Sequence, residues 1–375
     1  MFSHRASIGD SAEKRQQAAK QRDEGLLSPG DPDYDTKLSQ VWGGPPMRWF
    51  HEASRQWPQK YNGAGRVALV TGSTGGIGFY VARLLANCGY TLIIPARPGL
   101  TMEASDTEKA IAAAVPGAEV LVPAVPLDLR SFQSVRDFAA EVGKMQPRID
   151  LLCLNAGRGG GSADPREVTS DGCEAIMQVN TTSHFLLIAE LFPLLQASPQ
   201  ARIVTQSSGA RGNAEPNQIY DLDGTDPSSF NAWSQYSLSK ACMCTIALAL
   251  NERLRSKGID NIMALASEPG LTSTGVNIQH DLAKTLGLTG RFKNTNEFHD
   301  AAAHHAADGA LAMVLASLSG GPNDFFVSNG RNAGSLAEAA IRIRPRSGDP
   351  MCWPKKVNDA FWDKATEMTG AKWLF

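Results

Sequence analysis

Long hydrophobic runs are missing from this 375-residue chain. The most apolar stretch, around Phe185–Leu195, is interrupted by Glu190 and Pro193. Nothing therefore reads as a membrane span, which needs roughly 18–20 apolar residues in a row. Charge of one sign is missing too. The 36 basic and 38 acidic side chains leave a formal net charge of -2, so no global basic field argues for nucleic acid. Cysteine is sparse, six in all, which excludes a disulfide scaffold. No pair has the C-x-x-C spacing of a zinc site, and His304-His305 has no matching ligand pair, so no metal is expected. The thiols read as buried and reduced, in the cytoplasm or a reducing organelle lumen or matrix. Neither a secretory core nor an acid-poor import peptide follows Met1, so the targeting signal is weak.

The chain changes texture along its length. Residues 1–60 read as an N-terminal extension, polar and partly disordered, with the breaker cluster Pro29-Gly30-Asp31-Pro32-Asp33. Its end, residues 41–60, carries Trp42, Trp49 and Trp57. That Trp-rich arm is expected to pack on its own domain; docking of a partner is the alternative. From residue 61 to 375 one domain is expected. Val67–Val70, Thr91–Ile94, Val120–Val122, Ile149–Leu154, Arg202–Thr205 and Ile262–Ala266 are short apolar runs, as buried parallel strands should be. Helical-length segments lie between them: Ile77–Cys88, Ser131–Met145, Gly172–Leu195 and Tyr236–Lys257. Alternating strand and helix predicts right-handed βαβ crossovers, hence an α/β fold: a single doubly wound Rossmann-type domain with a parallel sheet. Residues 271–296 are short of regular pattern and are expected to form a substrate lid. Residues 346–375 are expected to be a packing segment.

Thr71-Gly72-Ser73-Thr74-Gly75-Gly76-Ile77-Gly78 falls between the first strand and the first helix. That is where a dinucleotide phosphate site must stand. Gly72 allows the turn, Gly76 a close backbone approach to the pyrophosphate, and Gly78 helix–strand packing. The helix N-terminus offers unpaired N–H groups to phosphate, with Ser73 and Ile77 in the same loop. After the second strand comes Arg97, where an NAD site usually has an acid. An arginine can pair with a 2′-phosphate, so NADP(H) is favoured over NAD(H).

Tyr236 and Lys240 stand at i, i+4 on one helical face. A free phenol is a poor base at neutral pH, and a nearby ammonium should stabilise the phenolate, so the tyrosine could exchange a proton with a carbonyl or alcohol oxygen. Ser207-Ser208 ends the fifth strand, on the carboxyl edge where open α/β sheets bind ligands.

Over about residues 65–370 these motifs resemble the short-chain dehydrogenase/reductase family. Thr71–Gly78 looks like its T-G-x-x-x-G-x-G, and Asn155-Ala156-Gly157 like its N-A-G. The resemblance implies that Asp128, with Leu129, contacts the adenine and that Asn180 holds a proton-relay water. It implies a catalytic set of Asn180, Ser208 (Ser207 as fallback), Tyr236 and Lys240, with Tyr236 and Lys240 also touching the cofactor. Pro269-Gly270 and Thr274 resemble the turn at the nicotinamide end. Thr169–Glu174, His184–Leu187, the long spacing from Ser208 to Tyr236 and the C-terminal Phe361-Trp362-Asp363 are similar to the retinol-dehydrogenase and protochlorophyllide-reductase branch. Glu268 departs from it, standing where that branch more often has His. The expected function is hydride transfer between NADP(H) and a hydrophobic retinoid-, steroid- or lipid-like carbonyl or alcohol. The alternatives are a protochlorophyllide-type C=C reductase and a non-catalytic cofactor-binding subunit. A homodimer through the Gly172–Leu195 and Tyr236–Lys257 helices is a further expectation.

Overall fold

The computed structural model describes residues 47–99, 101–160, 164–225, 228, 230–272 and 303–375. Residues 1–46, and so Trp42, lie outside the described residues; so do Thr274 and the expected lid from residue 273 onward.

Among the described residues, eight strands form one sheet in the order β3-β2-β1-β4-β5-β6-β7-β8. They are β1 Val67–Val70, β2 Thr91–Ile93, β3 Val120–Leu121, β4 Leu151–Leu154, β5 Ala201–Gln206, β6 Ile262–Glu268, β7 Phe325–Ser328 and β8 Ala340–Ile343. Every pairing from β3 to β7 is parallel. The last strand departs from the expected all-parallel sheet: β8 runs antiparallel to β7. Central strands β1 and β4 are buried at all four positions, because helices cover both faces of the sheet. Strand order reverses between β1 and β4, which opens a crevice at their carboxyl ends.

One face carries α1 Phe50–Lys60, α2 Gly76–Asn87 and, later in the chain, Ala306–Ser319. The other carries α4 Phe132–Met145, α5 Ser183–Gln196, α6 Ala232–Ser256 and α8 Lys355–Thr369. (α3 is Thr101–Ala114 and α7 is Ala306–Ser319.) The described part of the Trp-rich arm packs inward: Phe50, Ala53 and Trp57 are buried in α1. The backbone N–H groups of Arg48, Trp49 and Phe50, orphaned at the start of α1, all donate to the carboxylate of Asp308, at 2.9, 2.9 and 3.0 Å. Asp308 is fully buried in α7, about 260 residues away. Asp308→Asn leaves a single acceptor oxygen for three donors. It is expected to cost about 1–3 kcal/mol, read as a lower urea midpoint with an unchanged slope.

The C-terminal segment covers α5 and α6. Phe185 of α5 meets Trp362 of α8 edge-on at 4.9 Å, and Trp373 stacks on Trp362 at 4.4 Å. Phe375 packs against Phe192. Arg253 of α6 lies over Trp362 and pairs with Asp359. The helix faces expected to bind a second copy are thus partly occupied by the chain's own tail. Among the described residues no helix is long and apolar enough to cross a membrane, and no cluster of three metal-capable side chains is present.

Candidate active site

β1 ends in Val70, and the glycine loop turns the chain into α2. Gly72 and Gly76 both have positive φ, 68° and 53°, which L side chains rarely adopt. Gly78 is fixed by contact instead: a Cβ there would lie 2.1 Å from the Gly72 carbonyl oxygen. A Cβ on Gly75 or Gly76 would meet open space. No side chain caps the first turn of α2, and the Ser73 hydroxyl is buried without a hydrogen-bond partner. Uncapped amides, an orphaned hydroxyl and an open cradle fit a phosphate group. Ile77 is half-buried in the same turn, and Arg97 is exposed just past β2.

The N-A-G segment closes the loop from the side. The Asn155 amide donates to the Thr71 carbonyl at 2.9 Å. The backbone N–H groups of Asn155 and Ala156 both donate to Thr71 Oγ1 at 3.0 Å. A Cβ on Gly157 would stand 3.1 Å from Asn180 Oδ1 and 3.2 Å from Lys240 Nζ. Any larger residue here would press on both groups, so the backbone runs close beside them. Asp128 is partly exposed and holds its own turn through Arg130 N–H, whereas the Leu129 side chain belongs to the core.

Asn180 sits in a π-turn, Gln178–Thr182, that leads into α5; such turns cluster at functional sites. Its Oδ1 accepts from Arg158 N–H at 2.7 Å, and its amide donates to the Arg158 carbonyl and to Ser239 Oγ, both at 2.9 Å. Asn231 caps α6 by accepting from Ser234 N–H, so α6 starts one turn before Tyr236 rather than at it. Lys240 Nζ donates to the Gln206 carbonyl at 3.2 Å and lies 5.9 Å from the Tyr236 ring centre. The two serines separate clearly. Ser207 Oγ is buried and donates back to the Lys240 carbonyl at 2.8 Å. Ser208 is partly exposed and hydrogen-bonds the Tyr236 side chain.

The electrostatics hold one surprise. Burial pushes the Tyr236 phenol above its ordinary range; the Ser208 hydrogen bond pulls it down and the charge of Glu268 pushes it up. Lys240, which the helical spacing suggests as the group that lowers the phenol, is not among the causes of the shift; burial is the largest. Burial also pulls the Lys240 ammonium down to about 8. Pro269 and Gly270 follow β6, with Gly270 at φ 66°. The Pro269 carbonyl lies 2.6 Å from His304 Nε2 and accepts from Thr272 Oγ1 at 2.8 Å. His304, which also lies 3.0 Å from Thr272 Oγ1, is therefore the anchor of this turn.

A second residue had no sequence signal of its own role. His184 is fully buried, with Nδ1 3.0 Å from the Asn180 carbonyl and Nε2 3.1 Å from Thr71 Oγ1. Thr71 Oγ1 already accepts two N–H groups, so its own proton goes to Nε2, and Nδ1–H donates to Asn180. One neutral imidazole thus ties the glycine loop, the N-A-G segment and the π-turn together.

Comparison with known proteins agrees with this geometry. The short chain dehydrogenase family profile matches residues 66–220. The chain is 33% identical over 238 residues to retinol dehydrogenase 13 of Homo sapiens, covering 62% of this chain and 65% of that one. It is 32% identical over 216 residues to polyprenol dehydrogenase of Mus musculus, covering 56% and 61%. The chain therefore spans under two thirds of either relative's length. An uncharacterized protein from Mycobacterium Paratuberculosis shares the fold, with TM-score 0.62 and 24% identity over 85% of this chain and 98% of that one. The profile match, the shared fold and the residues gathered at the strand edge make residues 66–220 similar to the short-chain dehydrogenase/reductase family, with retinol dehydrogenase 13 and polyprenol dehydrogenase among the similar proteins.

Proposed function

We propose that this chain transfers hydride between NADP(H) and a carbonyl or alcohol carbon of a hydrophobic substrate. The observation that carries the reading is the convergence of Tyr236, Ser208 and Lys240 at the carboxyl edge of the sheet, beside an open glycine loop. The nicotinamide, when bound, supplies the hydride. Every other part falls to this chain. Uncapped amides of α2 and the Ser73 hydroxyl take the pyrophosphate. Arg97 takes the 2′-phosphate, and Asp128 and Leu129 border the adenine. Asn155, Ala156 and Gly157 line the middle of the cofactor groove, and Pro269 and Gly270 its nicotinamide end. Ser208 holds the substrate oxygen against the Tyr236 hydroxyl, which gives up or receives the proton. At neutral pH a lysine with its pKa near 8 is still mostly an ammonium, so Lys240 can bind a ribose hydroxyl and favour charge on the phenol. Asn180 holds the relay beside it.

Two relatives bear the names of dehydrogenases of apolar alcohols, retinol and polyprenol, which supports a hydrophobic substrate class. The test is a panel of aldehydes, ketones and alcohols of graded chain length, assayed with both cofactors at the reduced-nicotinamide absorbance band. The expected result is turnover of apolar substrates with NADPH preferred over NADH. Arg97→Glu is expected to weaken NADPH binding by roughly tenfold or more, the worth of one charge-assisted contact, and to leave NADH nearly unchanged. Equal loss for both cofactors would reject Arg97 as the 2′-phosphate group. No turnover of any carbonyl or alcohol with either cofactor would reject the activity.

A further inference from the structure

Behind the Ser208–Tyr236 pair lies a charged triad that the proposed reaction does not use. Arg211 follows β5, Glu268 ends β6, and Asp349 comes from the segment after β8. The Arg211 guanidinium is nearly buried, with Nη1 on Glu268 Oε2 and Nη2 on Asp349 Oδ2 at 2.9 Å. The same Nη1 donates to the Ser208 carbonyl at 3.1 Å. One face of the guanidinium lies 4.3 Å from the Phe325 ring centre, which adds an aromatic contact to the in-plane partners. Glu268 Oε1, the oxygen Arg211 does not take, points toward the backbone next to Ser208: a Cβ on Gly209 would stand 3.1 Å from it. Two carboxylates on one guanidinium leave the triad with a surplus negative charge. That surplus stands one residue from the serine that bonds the Tyr236 side chain.

We infer that Glu268 is a positioning residue for Tyr236: its carboxylate, fixed by Arg211 and Asp349, holds the phenol in the proton-donating form and biases the site toward carbonyl reduction. The inference rests on the reading of Tyr236 as the proton-transfer group. The charged groups tied to Tyr236 are Lys240 on its own helix, 5.9 Å from the ring centre, and Glu268 at the end of β6, with Arg211 and Asp349 behind Glu268. Lys240 favours phenolate and Glu268 opposes it. The direction of the Tyr236 shift, upward with Glu268 as one cause, agrees. In reduction, two electrons and a hydrogen arrive on the substrate carbon as hydride, and the phenol proton goes to the substrate oxygen to complete the alcohol. A phenol that stays protonated to higher pH can donate over a wider range.

The experiment follows the phenol directly. Full-length protein labelled at tyrosine Cζ with carbon-13 is titrated by NMR, with Tyr236→Phe identifying the resonance among six tyrosines. Glu268→Gln leaves Arg211 paired with Asp349, and Asp349→Asn leaves it paired with Glu268, so each variant keeps a compensated buried cation. In Glu268→Gln the Tyr236 midpoint is expected to move to lower pH by on the order of one unit, a roughly tenfold rise in phenolate at fixed pH. Asp349→Asn should move it the same way by less. The alkaline limb of carbonyl reduction should shift with the NMR midpoint. Unchanged midpoints in two folded variants, or a shift to higher pH, would overturn the inference. Should one variant not fold, the other carries the same test. A midpoint that moves in a protein showing no carbonyl reduction would sink the proposed activity while leaving the hold of Glu268 on Tyr236 intact.

Discussion

Tyr236→Phe is expected to lower the rate of hydride transfer by roughly 10²–10⁴-fold, the usual contribution of a positioned acid–base group, while NADPH binding changes little. The substitution removes one hydroxyl and keeps the ring. Trp233, whose ring centre lies 5.7 Å from that of Tyr236, still has its neighbour. Lys240 still donates to the Gln206 carbonyl, and Asn180 still holds Arg158 and Ser239. The loss is confined to the Ser208 hydrogen bond and to the proton that the substrate oxygen needs. Because that interaction matters only once charge develops on the oxygen, the fall should appear in kcat and kcat/KM together. Steady-state rates give kcat and kcat/KM, and quenching of protein fluorescence by NADPH gives the cofactor binding. Reduction that survives the substitution undiminished would remove Tyr236 from the chemistry, and with it the main argument for activity.

The parts of this site that depend on local backbone are readable in the amino-acid order, and the parts that depend on long-range contact are not. The glycine loop is readable because a strand–turn–helix junction around a phosphate imposes glycine at fixed offsets, and Gly72 and Gly78 meet those demands within one turn of chain. Tyr236 and Lys240 are readable because helical periodicity alone puts them on one face. The central strands are readable because burial on both faces leaves continuous apolar runs such as Val67–Val70. By contrast, β7 and β8 carry mixed burial and lie after a segment without pattern, so their pairing, and the antiparallel turn of β8, had no local signature. The Arg211 pairs with Glu268 and Asp349 close over 57 and 138 residues. Asp308 reaches the start of α1 across 258 or more. No spacing rule reaches that far. The phenol failed for a different reason: its neighbours on the helix suggest a lowered pKa, but burial, a property of the whole fold, sets the sign.

His184 joins both halves of that contrast, and its behaviour in acid should show it. Burial, the largest effect, takes the imidazole down to about 4, the Asn180 carbonyl opposes that, and Lys240 adds to it. In the unfolded chain the same group titrates near the ordinary value of 6.5. Between those two values the unfolded chain binds a proton that the folded one refuses. Stability is therefore whole above about 6.5 and falls as pH drops toward about 4, by on the order of 3 kcal/mol from this group. The bonding pattern says why the folded protein refuses it: a proton on Nε2 would face Thr71 Oγ1, whose two lone pairs already serve the N–H groups of Asn155 and Ala156. Other groups titrate in the same range, so the comparison is with His184→Gln, an amide that can donate and accept but does not titrate. Urea midpoints measured from neutral pH down to about pH 4.5 should fall more steeply in the native protein than in His184→Gln. His184→Phe should lose about 1–3 kcal/mol at neutral pH, because the Asn180 carbonyl loses the imidazole donor and the Thr71 hydroxyl proton keeps only the Cys153 carbonyl at 3.5 Å. It should also weaken NADPH binding, since the glycine loop, the N-A-G segment and the π-turn would no longer share one clamp. Parallel acid profiles for the native protein and His184→Gln would show that the imidazole is not held neutral by this network.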